Sequence, residues 1–267
     1  MIPRNYILSS GYFQFFKDFM IQDLHAHTYY SFCCNDKPEQ VIQKAITAGV
    51  TMLGICDHNY GVGCARTDFC WNKGTNLDAD YEQTLIRYYD HIQLLKEKYR
   101  NKIKLLCGVE VCTLIGKDDY ALPKNADISF FDYCLVENLD DKNSYLQGDL
   151  FSFAKRAKCP TGVAHTDMFA FIRSLGEEPY RYFRKMAENN IFWEMNVNYD
   201  SLHSFQSHDY VTEFFKSKEQ QKIVKKSGVR LSVGFDSHIA HEYKAERIKS
   251  ACKLLQTAGI RLIFNDR

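Results

Sequence analysis

The sequence carries almost no excess of charge of either sign, and this limits the kinds of molecule that the protein is expected to bind. Its 34 lysines and arginines nearly balance its 33 aspartates and glutamates, so the formal net charge at pH 7 is +1. Proteins that bind long nucleic acids or anionic membrane surfaces usually show a marked excess of basic residues. We therefore expect neither partner, whereas a small anionic substrate needs only local positive charge and is compatible with this balance.

Long apolar runs are also missing. No segment reaches the roughly 18 consecutive apolar residues of a membrane-spanning helix, and residues 1–20 lack both the apolar stretch and the cleavage site of a signal peptide. The ten cysteines are spread over 267 residues rather than concentrated in a small secreted framework. We expect reduced thiols that pack as small apolar groups, and a cytoplasmic location.

Glycine-rich nucleotide-binding loops are absent, because no GxGxxG or Walker pattern follows a predicted strand. Short apolar runs instead alternate with amphipathic segments, which is typical of parallel strands joined by helices. A closed α/β barrel is favoured over an open sheet, in a single domain spanning residues 1–267. The predicted strands are 21–26, 51–56, 103–111, 133–136, 161–164, 191–195 and 229–234, with a final short strand at 260–264. The predicted helices are 38–48, 81–99, 149–158, 179–189, 209–227 and 242–257.

Potential metal ligands follow these strands one after another. His25 and His27 end the first strand, and because residues two apart in an extended chain project to the same side, both can reach one ion. Five of the nine histidines lie at strand ends. Imidazole and carboxylate are the usual mixed ligands for zinc, manganese or iron. The full set at strand ends is His25, His27, Asp57, His58, Glu110, His165, Asp236 and His238.

Each of these residues taken alone has an ordinary structural explanation. Asp57 can cap a helix, Glu110 can pair with a lysine, and His165 can be a hydrogen-bonded core residue. If these ordinary explanations were correct, one would have to apply separately to every member of the set, although each member directly follows a strand. In a barrel, the carboxyl ends of the strands meet on one face, so the set predicts a shared metal site there.

The ordered motifs resemble the PHP (polymerase and histidinol phosphatase) family over nearly the whole chain. They read DLHAHTYYS, GICDHN, GVEV, FDYCLVEN, AHTD, WEMN and GFDSH, from Asp23 to His238. The resemblance implies a distorted (β/α)7 TIM-like barrel with two or three divalent metal ions (zinc, manganese or iron). It also implies hydrolysis of a phosphate ester, with histidinol phosphatase as the best-known stand-alone activity.

The same resemblance implies roles for individual residues. One ion is expected to be held by His25, His27, Glu110 and Asp236, with Glu110 as the bridging acid. The remaining metal ligands are expected to be His58, His165, His238 and Cys33. Cys33 stands where the family commonly has a histidine, and it is either a thiolate ligand, which favours zinc, or an unliganded thiol. Asn138 stands where the family has another histidine, so one metal position is weakened, replaced by the neighbouring Glu137, or absent.

The expected reaction is attack of a metal-bound hydroxide on a small phosphate monoester. His58 or His238 is predicted to protonate the leaving group if it holds no metal, and Asp57 to assist or to orient a ligand histidine. Arg66, Arg173 and Asn196 are predicted to bind substrate. The alternatives are a nucleotide or nucleic-acid phosphodiesterase, a phosphotyrosine phosphatase, and a catalytically degenerate metal-binding protein.

Overall fold

Seven parallel strands lie side by side in chain order in the computed structural model, which describes residues 19–31, 33–62, 81–114, 122–123, 125–146 and 148–265. The strands are β1 Gln22–Ala26, β2 Met52–His58, β3 Lys104–Val111, β4 Tyr133–Val136, β5 Thr161–Val163, β6 Ile191–Asn196 and β7 Leu231–Gly234. Each neighbouring pair is parallel. All their carboxyl ends therefore point to one face.

Helices connect the strands through most of the described chain. They are α1 Pro38–Thr47, α2 Asn59–Val62, α3 Tyr81–Tyr99, α4 Leu150–Ala157, α5 Met168–Ser174, α6 Pro179–Glu188, α7 Asp209–Lys216, α8 Lys218–Ser227 and α9 Ala245–Thr257, with a 3₁₀ turn at Ala240–Glu242. Within the described ranges, no helix is both long and apolar enough to cross a membrane.

The first strand and the chain after the last strand join at the carboxyl end. The His27 amide donates to the Ser237 carbonyl at 2.9 Å, and the Asp236 amide donates to the His25 carbonyl at 2.7 Å. The buried carboxylate of Asp23 accepts hydrogen bonds from the Phe235 amide at 3.0 Å and from the Tyr243 hydroxyl at 2.8 Å. These contacts confirm the predicted TIM-like (β/α)7 barrel and bring the first and last metal motifs together.

The barrel interior is packed around Tyr133 of β4. Its hydroxyl donates to the Leu24 carbonyl at 2.6 Å, which satisfies the polar group within an apolar interior. The ring lies over two glycines: a Cβ added at Gly54 or at Gly108 would stand 2.1 Å from the hydroxyl oxygen or 2.4 Å from the ring, respectively. Only glycine therefore leaves room for this ring, and the filled interior closes the barrel below the site.

Two predicted elements differ from the structure, and one observed helix was not predicted. The predicted helix at 209–227 is two helices, because Ser217 adopts an extended conformation and its side chain accepts from the Gln220 amide to cap α8. The predicted strand at 260–264 is wrong, since only an isolated bridge pairs Leu262 with Leu231. Helix α5 was not predicted; Asp167 caps it by accepting from the Ala170 amide at 2.9 Å.

Candidate metal centre

The side chains at the strand ends converge on one buried space at the carboxyl face. His25, His27 and Glu110 bring ligand atoms within 4.8 Å of one another, and the same limit holds for three further sets. These sets are His27, Cys33, His58 and His238; His58, Glu110 and Glu137; and Asp200, His203 and His238. Residues from β1, β2 and β3 and from the loops after β4, β6 and β7 thus meet around shared positions.

The ring of His25 is held by a carboxylate on the far side from the cluster. Its Nδ1 lies 2.8 Å from Glu194 Oε1, and both side chains are fully buried. An N–H donated to Glu194 leaves the Nε2 lone pair facing Glu110 at 3.2 Å and His27 at 3.1 Å. Carboxylates that fix the tautomer of a histidine in this way are characteristic of metal ligands. Glu194 is thus a positioning residue.

The ring of His27 is oriented through a serine. Ser31 Oγ lies 3.1 Å from His27 Nδ1, and it donates to Asp57 Oδ1 at 2.6 Å. Asp57 also accepts from the Thr28 amide and hydroxyl, both at 2.7 Å, and from the Ser31 amide at 3.1 Å. Asp57 therefore fixes the loop after β1 and reaches His27 only through Ser31.

Glu110 lies at the centre of the cluster. Its carboxylate oxygens are within 3.3 Å of four histidines: His25, His27, His58 and His165. Burial by itself would raise the pKa of Glu110, but His25 and His58 outweigh it and hold the pKa well below its usual range. An ionised, buried carboxylate touched by four imidazoles is a suitable bridging ligand for two cations.

The atoms facing one another across the cluster do not all form hydrogen bonds. His58 Nδ1 and Glu110 Oε2 lie 2.9 Å apart, yet both are buried without a hydrogen bond of acceptable geometry. A buried polar atom without a hydrogen bond usually has a specific cause, such as a bound ion. The donor set of imidazoles and carboxylates fits a divalent cation at this position.

Cys33 lies beside His58 and His238. Burial would raise the pKa of the Cys33 thiol, but hydrogen bonds with His238 and His58 lower it below the usual value. His27 stacks between the same two histidines, with ring centroids 4.5 Å from His58 and 4.3 Å from His238. Burial lowers the pKa of His27 well below its usual value, and His238 and His58 lower it further. Neutral imidazole and thiolate are the forms that bind metal, and a lowered thiol pKa favours the thiolate.

Two predicted ligands have left-handed backbone conformations. His165, after β5, has φ 26°, and Asp236, after β7, has φ 56°. Such conformations cost roughly 1–2 kcal/mol for a residue with a Cβ, and they concentrate at functional sites. The turns direct His165 Nε2 to Glu110 at 3.2 Å and Asp236 Oδ1 to His27 at 3.1 Å. Sharp turns at the strand ends therefore aim both side chains inward.

The structure brings the eight predicted metal ligands together, whereas the three predicted substrate-binding residues lie in different places. Arg66 lies outside the described residues. Arg173 is exposed in the last turn of α5, and within the described chain it has no contact with the cluster. Asn196 is buried and donates to Glu194 Oε2 and Asp236 Oδ2, both at 3.3 Å. Its amide hydrogens therefore hold two carboxylates in place.

Asn138 and Glu137 lie after β4. Asn138 has φ 59°, and its carbonyl accepts from the Thr113 hydroxyl at 3.2 Å. Glu137 Oε1, by contrast, lies 3.6 Å from His58 Nδ1 and shares a candidate ligand set with His58 and Glu110. Glu137 is thus the side chain from this loop that reaches the cluster.

The sequence analysis missed a histidine–aspartate pair in the loop after β6. Asp200 Oδ1 accepts from His203 Nδ1 at 2.7 Å and from the His203 amide at 3.0 Å. His203 Nε2 then lies 3.4 Å from Asp236 Oδ2. Burial would lower the pKa of His203, but Asp200 and Asp236 raise it to about 10. Both residues follow a strand within seven positions, and that spacing was the available signal.

Replacing His203 by glutamine is expected to weaken metal retention. His203 contacts Asp236 from outside the ligand sets that contain His25 and Glu110, and loss of such a supporting contact typically lowers metal affinity about 10–100-fold. Competition with a chelator measures this. His241→Gln makes the same change at an exposed histidine and is expected to have no effect, and equal metal affinity for both variants would contradict the assignment.

Comparison with known proteins identifies the family. The model of the PHP domain matches residues 23–259. The chain belongs to the PHP family. This membership indicates a phosphatase-type hydrolase, and the PHP match contains all eight predicted metal ligands. No curated protein matches the sequence.

Two solved structures share the architecture of this PHP chain. The histidinol phosphate phosphatase HisK from Lactococcus lactis subsp. lactis, solved with zinc, L-histidinol and phosphate, has a TM-score of 0.52 at 16% identity and covers 91% of this chain and 95% of its own. At this identity the likeness shows the fold alone. A structure assigned as histidinol phosphatase HisK from Listeria monocytogenes has a TM-score of 0.45 at 16% identity and covers 82% of this chain and 96% of its own.

Proposed function

We propose that this PHP-family chain is a metal-dependent phosphatase that hydrolyses a small phosphate monoester, as histidinol phosphatases do. The observation that carries the proposal is the convergence on Glu110 of four imidazoles from three strand ends, His25, His27, His58 and His165. Asp236 Oδ1 joins the same space, 3.5 Å from His25 Nε2. We also propose that a single domain supplies all of these residues, as the sequence pattern predicts.

The number of ions is limited by the histidines that two ligand sets share. A neutral imidazole offers one lone pair to a metal. His27 therefore serves either the set with His25 and Glu110 or the set with Cys33, and His58 serves either the set with Glu137 or the set with Cys33. Two ions would use both histidines, His27 together with His25 and Glu110, and His58 together with Glu110 and Glu137. A third ion in the Cys33 set would be left with Cys33 and His238. In the remaining set, Asp200 and His203 already bond to each other at 2.7 Å, so we infer two ions.

In this assignment His25, His27, Glu110 and Asp236 would hold the first ion. His58, Glu110 and Glu137 would hold the second, with His165 beside Glu110. When bound, paired divalent ions supply a water nucleophile of lowered pKa and positive charge for the phosphoryl oxygens. The ligands that hold them are mixed nitrogen and oxygen donors, which suit manganese, iron and zinc.

The chain's own residues position these ligands and line the space around them. Glu194 holds the tautomer of His25, and Asn196 donates to Glu194 and Asp236 from β6. His238 is left outside both ligand sets in the two-ion assignment, with its Nδ1 2.9 Å from the Asp236 carbonyl. It is therefore the histidine we assign to protonating the leaving group, in preference to His58.

The substrate class follows from the site and from the structural neighbour. The Lactococcus lactis enzyme was solved with L-histidinol and phosphate, which supports a small phosphorylated compound for this chain. The formal net charge of +1 lacks the overall basic excess that is usual in proteins that bind long nucleic acids. We therefore rank phosphate monoesters of small metabolites ahead of phosphodiesters.

A panel of phosphate esters tests the proposal. The protein is stripped with a chelator, reloaded with manganese, iron or zinc, and assayed for phosphate release from histidinol phosphate, 4-nitrophenyl phosphate and other monoesters, with bis(4-nitrophenyl) phosphate as the diester. We expect metal-dependent release from at least one monoester and two ions per chain by elemental analysis. Faster hydrolysis of the diester would favour a phosphodiesterase. Bound metal without turnover of any ester would favour a metal-binding protein.

A further inference from the structure

A basic cleft lies at the opposite end of the barrel from the metal centre. It has a volume of about 500 Å³ and is formed by the ends of α6 and α8 and the chain around residues 228–230 and 261–263. Ile191, the first residue of β6, lines it. The same strand carries Glu194 and Asn196 at its other end, within the metal centre. A molecule in the cleft is therefore separated from the metal centre by the length of the barrel.

Positive charge dominates the walls of this cleft. Its charged lining residues are Arg184, Glu188, Lys225, Lys226, Arg230 and Arg261. The single carboxylate among them, Glu188, accepts from Arg184 Nε at 2.8 Å. Five basic side chains with one neutralising acid are an unusual local excess in a chain whose formal net charge is only +1.

Helix termini explain part of this charge. Cations near the carboxyl end of a helix interact favourably with its dipole, and Lys225, in the last turn of α8, donates to the Ala258 carbonyl at 3.1 Å at the end of α9. Arg230 and Arg261 are not in helices, however: Arg230 directly precedes β7, and Arg261 directly precedes the bridged residue Leu262. The helix dipole therefore does not account for the presence of these two arginines in the cleft.

Two of the cations are available to a ligand. Within the described chain, the side chains of Lys226 and Arg261 are exposed and donate no hydrogen bond. The Arg261 guanidinium lies over Gly228, the left-handed residue that ends α8, where a Cβ would approach its nitrogen to 3.8 Å. A planar guanidinium presents its donors as a fork that matches phosphate oxygens.

The size of the cleft makes the charges act together. A volume of about 500 Å³ corresponds to a cube with an edge of roughly 8 Å, which is about the Debye length at physiological ionic strength. Concave sites of one sign also focus the field and concentrate counter-ions. The two exposed cations, Lys226 and Arg261, come from separate segments and therefore suit a ligand with more than one anionic group.

We propose that this cleft binds a small polyanion, a molecule carrying two or more phosphate groups. Its shape, a cavity of about 500 Å³ rather than an extended surface, fits a small molecule, whose pockets typically measure about 300–1,000 Å³. The site is separate from the metal centre and does not depend on the function proposed for it.

Calorimetric titration of the full-length, metal-loaded protein with inositol hexasulfate tests this proposal. A phosphatase does not hydrolyse sulfate esters, and they chelate metals weakly. At matched ionic strength we expect the hexasulfate to bind at least about 100-fold more tightly than inorganic sulfate. Lys226→Glu is expected to weaken that binding about tenfold or more, since a charge-assisted contact is lost and a repulsion is added.

Lys222→Glu is the matched control, because it makes the same charge change one turn earlier on the exposed side of α8 and outside the cleft. It is expected to weaken binding by no more than about threefold, because it changes the local field without removing a contact in the cleft. Arg261→Glu replaces Lys226→Glu if that variant does not fold by circular dichroism. Equal weakening by Lys222→Glu, no preference for hexasulfate over sulfate, or no binding to the wild-type chain would overturn the proposal. Tighter binding of a single-stranded oligonucleotide than of hexasulfate would overturn it as well.

Discussion

The variant that combines His25→Ala with His27→Ala is expected to lose the first metal ion, so that its metal content falls by about half, and to lose its phosphatase activity while the barrel stays folded. Both imidazoles point at Glu110, at 3.2 Å and 3.3 Å, and in the proposed assignment both bind the first ion. A catalytic metal supplies several kcal/mol of transition-state stabilisation, so turnover should fall by about 1,000-fold or more. Elemental analysis and phosphate release measure the two effects.

The control for this double variant is His241→Ala, which removes an exposed histidine outside the ligand sets. It should keep metal and activity, which separates loss of a ligand from loss of any histidine. Far-UV circular dichroism should report the same helical content for all three proteins. Full metal content in the double variant, with or without activity, would show that His25 and His27 are not ligands.

Asp57→Ala is expected to be the most destabilising single change near the site. Asp57 is fully buried and accepts four hydrogen bonds from Thr28 and Ser31. Its removal leaves those donors without a partner, and each buried unsatisfied group costs about 1–3 kcal/mol. Some relaxation of the loop is expected, so we predict a loss of about 3–5 kcal/mol in the free energy of unfolding, measured by urea denaturation.

The same change should reduce metal retention, because Asp57 holds Ser31 and Ser31 holds His27. Asp57→Asn keeps an acceptor and should lie between the wild type and the alanine variant in both measurements. Asp90→Ala, at an exposed position on α3, should change stability by no more than about 0.5 kcal/mol. If Asp57→Ala were as mild as Asp90→Ala, the buried network would not support the loop.

Much of the barrel follows from periodicity that is readable in the chain. Apolar runs with β propensity predicted all seven strands, and β4 was placed at its observed bounds, 133–136. The errors fall where local sequence is ambiguous. The apolar residues at 260–264 have the composition of a strand, but only Leu262 reaches a partner, at Leu231. A strand exists only where a neighbour offers its backbone in register.

The candidate ligands were also readable, because in a parallel barrel every strand delivers its carboxyl end to one face. Position along a strand therefore predicts that His25, Glu110 and Asp236 approach one another. Arg173 shows the limit of this reasoning. Arg173 follows β5 in sequence, but it belongs to the capped helix α5, whose last turn places the side chain at an exposed position.

The sequence pattern by itself determined the order of strands, the face on which the chemistry lies and seven of the eight potential ligands; the family resemblance indicated the eighth, Cys33. These properties depend on local spacing, since alternation within a strand and the turn after it are set by residues a few positions apart. Only the tertiary structure decided which groups hold the ligands: Glu194 against His25, Asp57 through Ser31 against His27, and the Asp200–His203 pair against Asp236. Those pairings join residues as far as 169 positions apart, and they depend on how the strands register around the barrel, which no local pattern encodes.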